Sequence, residues 1–246
     1  MRRFYFAPEN RQGDEVALSV EQVRHAVRVL RLKNGARLEL LDGLGTVYSA
    51  ELRVAGERVT ARIDGVVTRA GHTASTLWVA QGILRGDKMD HVVQKCTELG
   101  VTRFSPLESQ RCQGRLSAEQ GRKKLARWQR IGLEACKQSL RPLPMEICPP
   151  TSLADFLSDP QTIIGEPLRL VLWEEERERH LRHVGGLAAG GKVLLLLGPE
   201  GGLRRDEITA ARHSGFQTAS LGERILRAET ATLAAVAIVQ YLTGGL

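Results

Sequence analysis

Two glycine-rich stretches near the C-terminus carry the residue types that could bind a nucleoside. Residues 197–202 read Leu-Gly-Pro-Glu-Gly-Gly and close the apolar run Val193-Leu194-Leu195-Leu196-Leu197. Residues 221–231 read Leu-Gly-Glu-Arg-Ile-Leu-Arg-Ala-Glu-Thr-Ala and follow the strand-like Thr218-Ala219-Ser220. In each, a buried strand runs into a glycine turn and then towards a helix. Ligands bind at such places in α/β proteins, because the carboxyl ends of strands present free backbone groups to a crevice. Two such turns close together in sequence point to one shared pocket. Gly198, Gly201 and Gly202 lack a Cβ, so a ligand can approach the backbone closely. Pro199 fixes one φ and removes one N–H donor. The result is a stiff loop lined with backbone donors and acceptors, which suits adenine and ribose edges. It is a poor phosphate loop, because both the Walker spacing G-x-x-x-x-G-K-[ST] and G-x-G-x-x-G after a strand are absent.

The elements that must hold these turns alternate between strand and helix. Thr76–Leu84 reads as a strand. Asp87 can cap a helix with Met89, Val92, Val93, Cys96 and Leu99 on one face, ended by Gly100 at the position after the cap. Val101–Leu107 is a short strand, and Ser117 with Gln120 caps a long basic helix reaching about Leu140. Met145–Cys148, Leu168–Trp173 and Val193–Leu197 are further strands. A helix follows the first turn, with Ile208 and Ala211 inward and Gly215 as its stop. Thr230–Leu242 is an apolar terminal helix. Alternating elements with near-continuous apolar strands predict an α/β fold, a parallel sheet with helices on both faces.

Residues 1–70 read differently. Arg3–Phe6, Arg37–Leu41, Val47–Val54 and Arg58–Ile63 are short, partly alternating segments separated by turn signals at Asn34-Gly35, Asp42-Gly43 and Gly56. One helix interrupts them, with Ser19 and Gln22 as a capping box and Val20, Val23, Val27 and Leu30 at helical spacing. This pattern predicts a small β-barrel with one helix, joined to the remainder by a linker over residues 69–75.

Charge is unevenly placed. The chain has 246 residues and a net charge of +7, and residues 103–141 hold ten Lys and Arg against three Asp and Glu. The remainder has 25 of each sign, so one segment carries the whole excess. That is the electrostatic footprint expected for a polyanion, or else a solvated helix face rich in arginine. The four cysteines (Cys96, Cys112, Cys136, Cys148) are widely spaced with no C-x-x-C, which indicates neither a zinc site nor a disulfide framework. His180 and His183 could share a helix face, but no third ligand stands nearby, so no metal is expected. The N-terminus lacks the apolar core of a signal peptide, and no apolar run is long enough to span a bilayer. The expectation is a soluble, cytoplasmic protein.

The paired stretches 197–202 and 221–231 resemble the signature of the SPOUT methyltransferases. More narrowly they resemble the E-type 16S ribosomal RNA methyltransferases, which act on a uridine N3. His25-Ala-Val-Arg-Val-Leu-Arg31, Lys95-Cys-Thr-Glu-Leu-Gly-Val101 and Glu134-Ala-Cys-Lys-Gln-Ser-Leu-Arg141 match as well, so the resemblance covers nearly the whole chain. Leu203 stands where the family usually has an aromatic. The resemblance implies a PUA-like RNA-binding barrel over residues 1–70 and a SPOUT domain, with its trefoil knot, over 75–246. It implies S-adenosylmethionine as cofactor, 16S rRNA of the small ribosomal subunit as partner, and a homodimer. The terminal helix, with Leu233, Val236, Ala237 and Val239, either helps to form the dimer interface or packs in the core.

The resemblance also assigns site residues. Leu172, Leu197, Gly198, Pro199, Glu200, Gly201, Gly202, Leu221, Gly222, Ile225 and Leu226 would build the cofactor pocket, with Ile225 and Leu226 flanking the adenine. Glu200 contacts the loop or the cofactor, or caps the helix that follows. Arg227 stabilises a uracil anion, binds a target phosphate, or pairs with Glu229. Glu229 and Thr230 read as a helix start, with Glu229 also among the candidates for the base. Gln138, Ser139 and Arg141 could read the uracil edge, since an amide bonds both a carbonyl and an N–H. Arg111, Arg115, Lys123, Lys124, Arg127 and Arg130, with Arg2, Arg3, Arg24, Arg28 and Arg31 in the barrel, are candidate phosphate contacts. A SPOUT enzyme acting on tRNA or a ribose 2′-hydroxyl, an RNA-binding assembly factor without catalysis, and a metabolic enzyme for an anionic small molecule are the competing readings.

Overall fold

The computed structural model of the protein describes residues 2–56, 58–69, 76–112, 114–159 and 167–246. Two compact units result: Met1–His72 with Cys136–Pro144, and Thr73–Ala135 with Met145–Leu246. The segment read as a linker lies, Arg69 apart, outside the described residues.

The first unit is built on six strands: β1 (Arg3–Tyr5), β2 (Arg11–Gln12), β3 (Glu15–Ala17), β4 (Arg37–Leu41), β5 (Thr46–Ala55) and β6 (Arg58–Arg69). They pair in the order β1-β4-β5-β6-β3-β2, antiparallel throughout except for β1 on β4. Leu38, Leu40, Ala50, Leu52, Ala61 and Ile63 sit at alternate positions of β4, β5 and β6 and close a core around Phe4, Phe6 and Val16. Strands β2 and β3 escape a reading by alternation because two or three residues hold no period. Helix α1 (Val20–Val23) has the Ser19/Gln22 capping box that its sequence predicts. It then widens into a π-helical turn over Arg24–Val29, where the Leu30 N–H reaches His25 O at 2.9 Å. Val23, Val27 and Leu30 pack against the core as their spacing predicts, together with the fully buried Ala26. Val20, expected to point inward, is instead 89% exposed at the first helical position.

In the second unit, β7 (Thr76–Gly82) leads to α2 (Lys88–Glu98), β8 (Arg103–Glu108) and α3 (Ala118–Gln138), whose last residues count with the first unit. Then come β9 (Glu146–Ile147), β10 (Thr151–Ser152), α4 (Leu153–Ser158), β11 (Leu168–Leu172), β12 (Lys192–Leu197), α5 (Arg205–His213), β13 (Gln217–Ala219) and α6 (Ala228–Thr243). Every pairing between these strands is parallel, in the order β10-β8-β7-β12-β11-β13 with β9 added on β8. The unbroken leucine run of β12 follows from burial on both faces. Val193, Leu195 and Leu197 pack in the cluster that includes Met89, Val92 and Cys96 of α2 and Val236 of α6. Leu194 and Leu196 face the cluster that includes Phe156 of α4 and Ile208 of α5. Leu203, in the place of an aromatic, is buried in that second cluster.

Helix ends show which signals were local. Gly100 takes φ +86° after α2, Gly215 takes φ +83° after α5, and Ser117 and Gln120 cap α3 reciprocally. Asp87 does not cap α2: its own backbone is helical and its carboxylate turns to Arg127 instead. Helix α4 went unread because six residues hold less than two turns of periodicity. Among the described residues, no helix is long and apolar enough to cross a membrane.

Candidate active site

The turns after β12 and β13 lie at the carboxyl ends of the two parallel strands that flank β11, which pairs with both. They enclose one cavity of about 300 Å³. Its lining takes in Leu172–Glu174, Leu197–Gly202, Ala219–Leu226, Ala228 and Ala231. Every residue assigned to the pocket by resemblance is in this set. Trp173 and Glu174 were not assigned. They follow an ordinary apolar strand with no glycine turn, so nothing local distinguishes them.

The first turn is braced from several sides. Gln81 is fully buried in β7 and donates from Nε2 to Gly198 O at 2.9 Å. Its Oε1 accepts from Thr232 Oγ1 of α6 at 2.5 Å. Arg111 donates to Gly201 O at 2.8 Å, and the Arg85 N–H donates to Glu200 Oε1 at 3.0 Å. Gly202 has φ +70°, and a Cβ there would overlap the Glu174 carboxylate. Glu200 therefore does not cap α5; Glu207 does, accepting from the Arg204 N–H at 2.9 Å and the Gln110 N–H at 2.8 Å.

The second turn is open. Gly222 has φ +126°, with nothing within 4 Å of the place a Cβ would take. Ile225 is 85% exposed at the cavity rim, while Leu226 is half-buried. Arg227 occupies the N-cap of α6, and its carbonyl accepts from the Ala231 N–H at 2.8 Å. Its guanidinium is exposed and makes no ion pair among the described residues. Glu229, placed in the first turn of α6, pairs not with Arg227 but with Lys88, 3.3 Å away. Its own backbone N–H, then Lys88 and the more distant Arg227, hold the Glu229 carboxyl below the usual range, with partial burial opposing them.

The remaining candidates divide sharply. Gln138 and Arg141 belong to the first unit and are not part of the cavity lining. Burial pulls the Arg141 guanidinium below its ordinary pKa. Three arginines read as candidate phosphate contacts have partners within the chain. Arg3 lies 2.5 Å from Glu39 in a pair whose side chains are 10% and 7% exposed, so its charge is neutralised inside the first unit. Arg127 is held by Asp90 at 2.5 Å and Asp87 at 3.4 Å, which raises its pKa and balances its charge. Arg111 is a strut of the first turn. Lys123 pairs with Glu119 along α3 at 2.6 Å, and Lys124 sits 5.7 Å from the Trp128 ring centroid. Arg115 and Arg130, and Arg2, Arg24, Arg28 and Arg31 of the first unit, are exposed without an ion pair among the described residues.

Comparison with known proteins agrees with this geometry. A family model described as an RNA methyltransferase domain matches residues 72–240, and one described as an RNA methyltransferase PUA domain matches residues 18–64. The chain is 33% identical over 242 residues to ribosomal RNA small subunit methyltransferase E of Synechocystis, covering 98% of this chain and 77% of the relative. It is 29% identical to the Bacillus subtilis protein of the same name, covering 99% and 97%. Among solved structures it is similar to the Neisseria gonorrhoeae ribosomal RNA small subunit methyltransferase E bound to S-adenosyl methionine. That match has TM-score 0.86 and 36% identity over 99% of this chain and 98% of the other. A putative methyltransferase of Legionella pneumophila in complex with the same cofactor matches with TM-score 0.87 and 33% identity, over 98% and 97%.

Proposed function

The chain belongs to the RNA methyltransferase family, and from that membership we propose that it transfers the methyl group of S-adenosylmethionine to N3 of a specific uridine in 16S rRNA of the small ribosomal subunit. One observation carries the reading. Both glycine turns meet at a single cavity, in a chain similar over nearly its full length to relatives named for methylating small-subunit rRNA.

The lining fits the cofactor. Leu172, Leu197 and Leu226 offer apolar walls to the adenine, and the open space over Gly222 is room that any Cβ would enter. Backbone groups of both turns would meet the ribose, and the carboxylates of Glu174 and Glu223 on the lining match a cationic ligand. Bound there, the cofactor supplies an electrophilic methyl on a sulfonium that leaves as a neutral thioether. The chain's own task is the nucleophile. Uridine N3 carries a proton at neutral pH; that proton passes to solvent water, and the barrier falls where a cation stabilises the anion that then takes the methyl. Arg227, exposed beside the lining at the head of α6, takes that role. Glu229, held below the usual carboxylate range by its backbone N–H and Lys88, is a weak proton acceptor and serves to order the start of the helix. Gln138 and Arg141 are assigned to recognition of the uracil edge.

Holding the RNA falls to cations: the exposed Arg2, Arg24, Arg28 and Arg31 in a PUA-like domain over residues 1–70, and the exposed Arg115, Lys123 and Arg130 with the half-buried Lys124 in the methyltransferase domain over 75–246. A target uridine must be unstacked for its N3 to be reached, which requires a firm hold on the flanking phosphates. The outer face of α6 shows Ile238, Tyr241 and Leu242 to solvent and is assigned to a homodimer contact. The setting is the cytoplasm, where small subunits are assembled. Incubation with radiolabelled S-adenosylmethionine and small subunits lacking native methylation tests the proposal. Label in 3-methyluridine at one 16S position is the expected result; label in another nucleoside or in tRNA would replace the target, and no label on any RNA would overturn the activity.

A further inference from the structure

Lys88 is an odd residue for its place. It opens α2, where the helix dipole disfavours a cation. Two carboxylates from distant parts of the chain offset that penalty. Lys88 Nζ lies 3.5 Å from Glu200 Oε1 in the first turn and 3.3 Å from Glu229 Oε2 in the first turn of α6. Glu200 Oε1 is fixed further by the Arg85 N–H, three residues ahead of Lys88. One ammonium thus joins the turn after β12 to the helix that the turn after β13 runs into. Without it, two carboxylates within reach of the same point would repel each other and separate. Among the described residues, a further bridge between the two regions, Thr232 to Gln81 to Gly198, runs through the buried side and not the charged end of the site.

We propose that Lys88 is a positioning residue for methyl transfer, its ammonium clamping Glu200 to Glu229 and so setting the spacing of the two turns that line the cofactor cavity. The inference rests on the methyltransferase reading of that cavity. It assigns Lys88 no contact with either substrate; it acts through the two carboxylates.

The test is S-adenosylmethionine affinity, measured by calorimetry on the full chain for wild type, Lys88→Met, Lys88→Arg, Glu200→Gln and the double variant Lys88→Met/Glu200→Gln. Partly exposed ion pairs are individually weak, so Lys88→Met should weaken binding about three- to tenfold. Lys88→Arg should restore it to within about twofold, because a guanidinium reaches both carboxylates. The double variant should bind no worse than either single variant, since both remove the same link. Should Lys88→Met fold poorly, Glu200→Gln carries the same expected loss. Wild-type affinity in Lys88→Met and Glu200→Gln, or losses that add in the double variant, would overturn the clamp. Absence of cofactor binding by the wild-type chain would remove the underlying reading instead, so the two failures are distinguishable.

Discussion

In the turn after β12 Gly201 backs onto Arg111, Gly202 onto Glu174 and Gly198 onto the turn's own far end, whereas in the turn after β13 Gly222 faces open space. The first turn is tied to β7, to the residues just ahead of α2, and to Arg111 through three hydrogen bonds. The second presents Glu223, Arg224 and Ile225 to solvent. Both line one cavity, so the difference is one of task. A braced wall holds its donors and acceptors where a ligand needs them and loses little entropy on binding. An open wall can admit the ligand and then settle on it. Arg227, at the exit of the open wall, is the residue proposed above to meet the reacting uracil, and it braces neither wall.

If that division of labour holds, substitutions in the two walls should fail in different ways. The largest effect belongs to Arg227→Ala. Loss of one group that stabilises developing charge should lower the methyl-transfer rate by about 10²- to 10³-fold. Cofactor affinity should stay within about threefold, since Arg227 is outside the cavity lining. Single-turnover kinetics beside calorimetry reads both numbers, and a matching loss in the two would place Arg227 in the binding wall instead. Next comes Gly202→Ala. An alanine forced to φ +70° against the Glu174 carboxylate strains the braced wall by about 1–3 kcal/mol, which should weaken cofactor binding about tenfold or more. Gly222→Ala meets no neighbouring atom but is held at φ +126°, farther from the left-handed well, so its loss should come from backbone strain alone. That loss should stay unchanged in a Glu174→Ala background, where the loss in Gly202→Ala should shrink; equal responses would erase the contrast between the walls.

Gln81→Leu should act on the fold. It leaves Gly198 O and the Thr232 hydroxyl without their buried partner, at about 1–3 kcal/mol of stability, read from urea unfolding. A variant as stable as wild type would show that the brace on the first wall is dispensable. The smallest effect is Ile225→Ser. A side chain this exposed supports no core, so stability should change by less than about 0.5 kcal/mol while cofactor affinity falls measurably. An unfolding midpoint that drops as far as in Gln81→Leu would mean that the second wall is as structural as the first.

The same contrast explains what the amino-acid sequence disclosed. A run such as Val193–Leu197 closed by Gly198 states a buried strand and its stop, because burial and φ are set within a few residues. Gly100, Gly215 and the Ser117/Gln120 cap were legible for that reason. What came from elsewhere in the chain was not. Asp87 has the residue type of a cap, but Arg127, forty positions away, takes its carboxylate. Arg3 reads as a surface cation until Glu39 is placed beside it in the neighbouring strand. Gln81 did leave a trace: a polar amide inside Trp78–Leu84 has to find buried partners, and two of them sit on the first turn and α6. Trp173, Glu174 and Lys88 left none, since each matters only through what the fold brings against it.

Ile225 has a consequence that reaches beyond geometry. A hydrocarbon side chain left in water carries an ordered hydration shell, and covering it, by cofactor or by a second copy of the chain, releases that water and lowers the heat capacity of the system. Association at this site then becomes more exothermic with every degree of warming, and the van't Hoff plot of its affinity bends instead of running straight. The open wall makes ligand capture at this site a function of temperature.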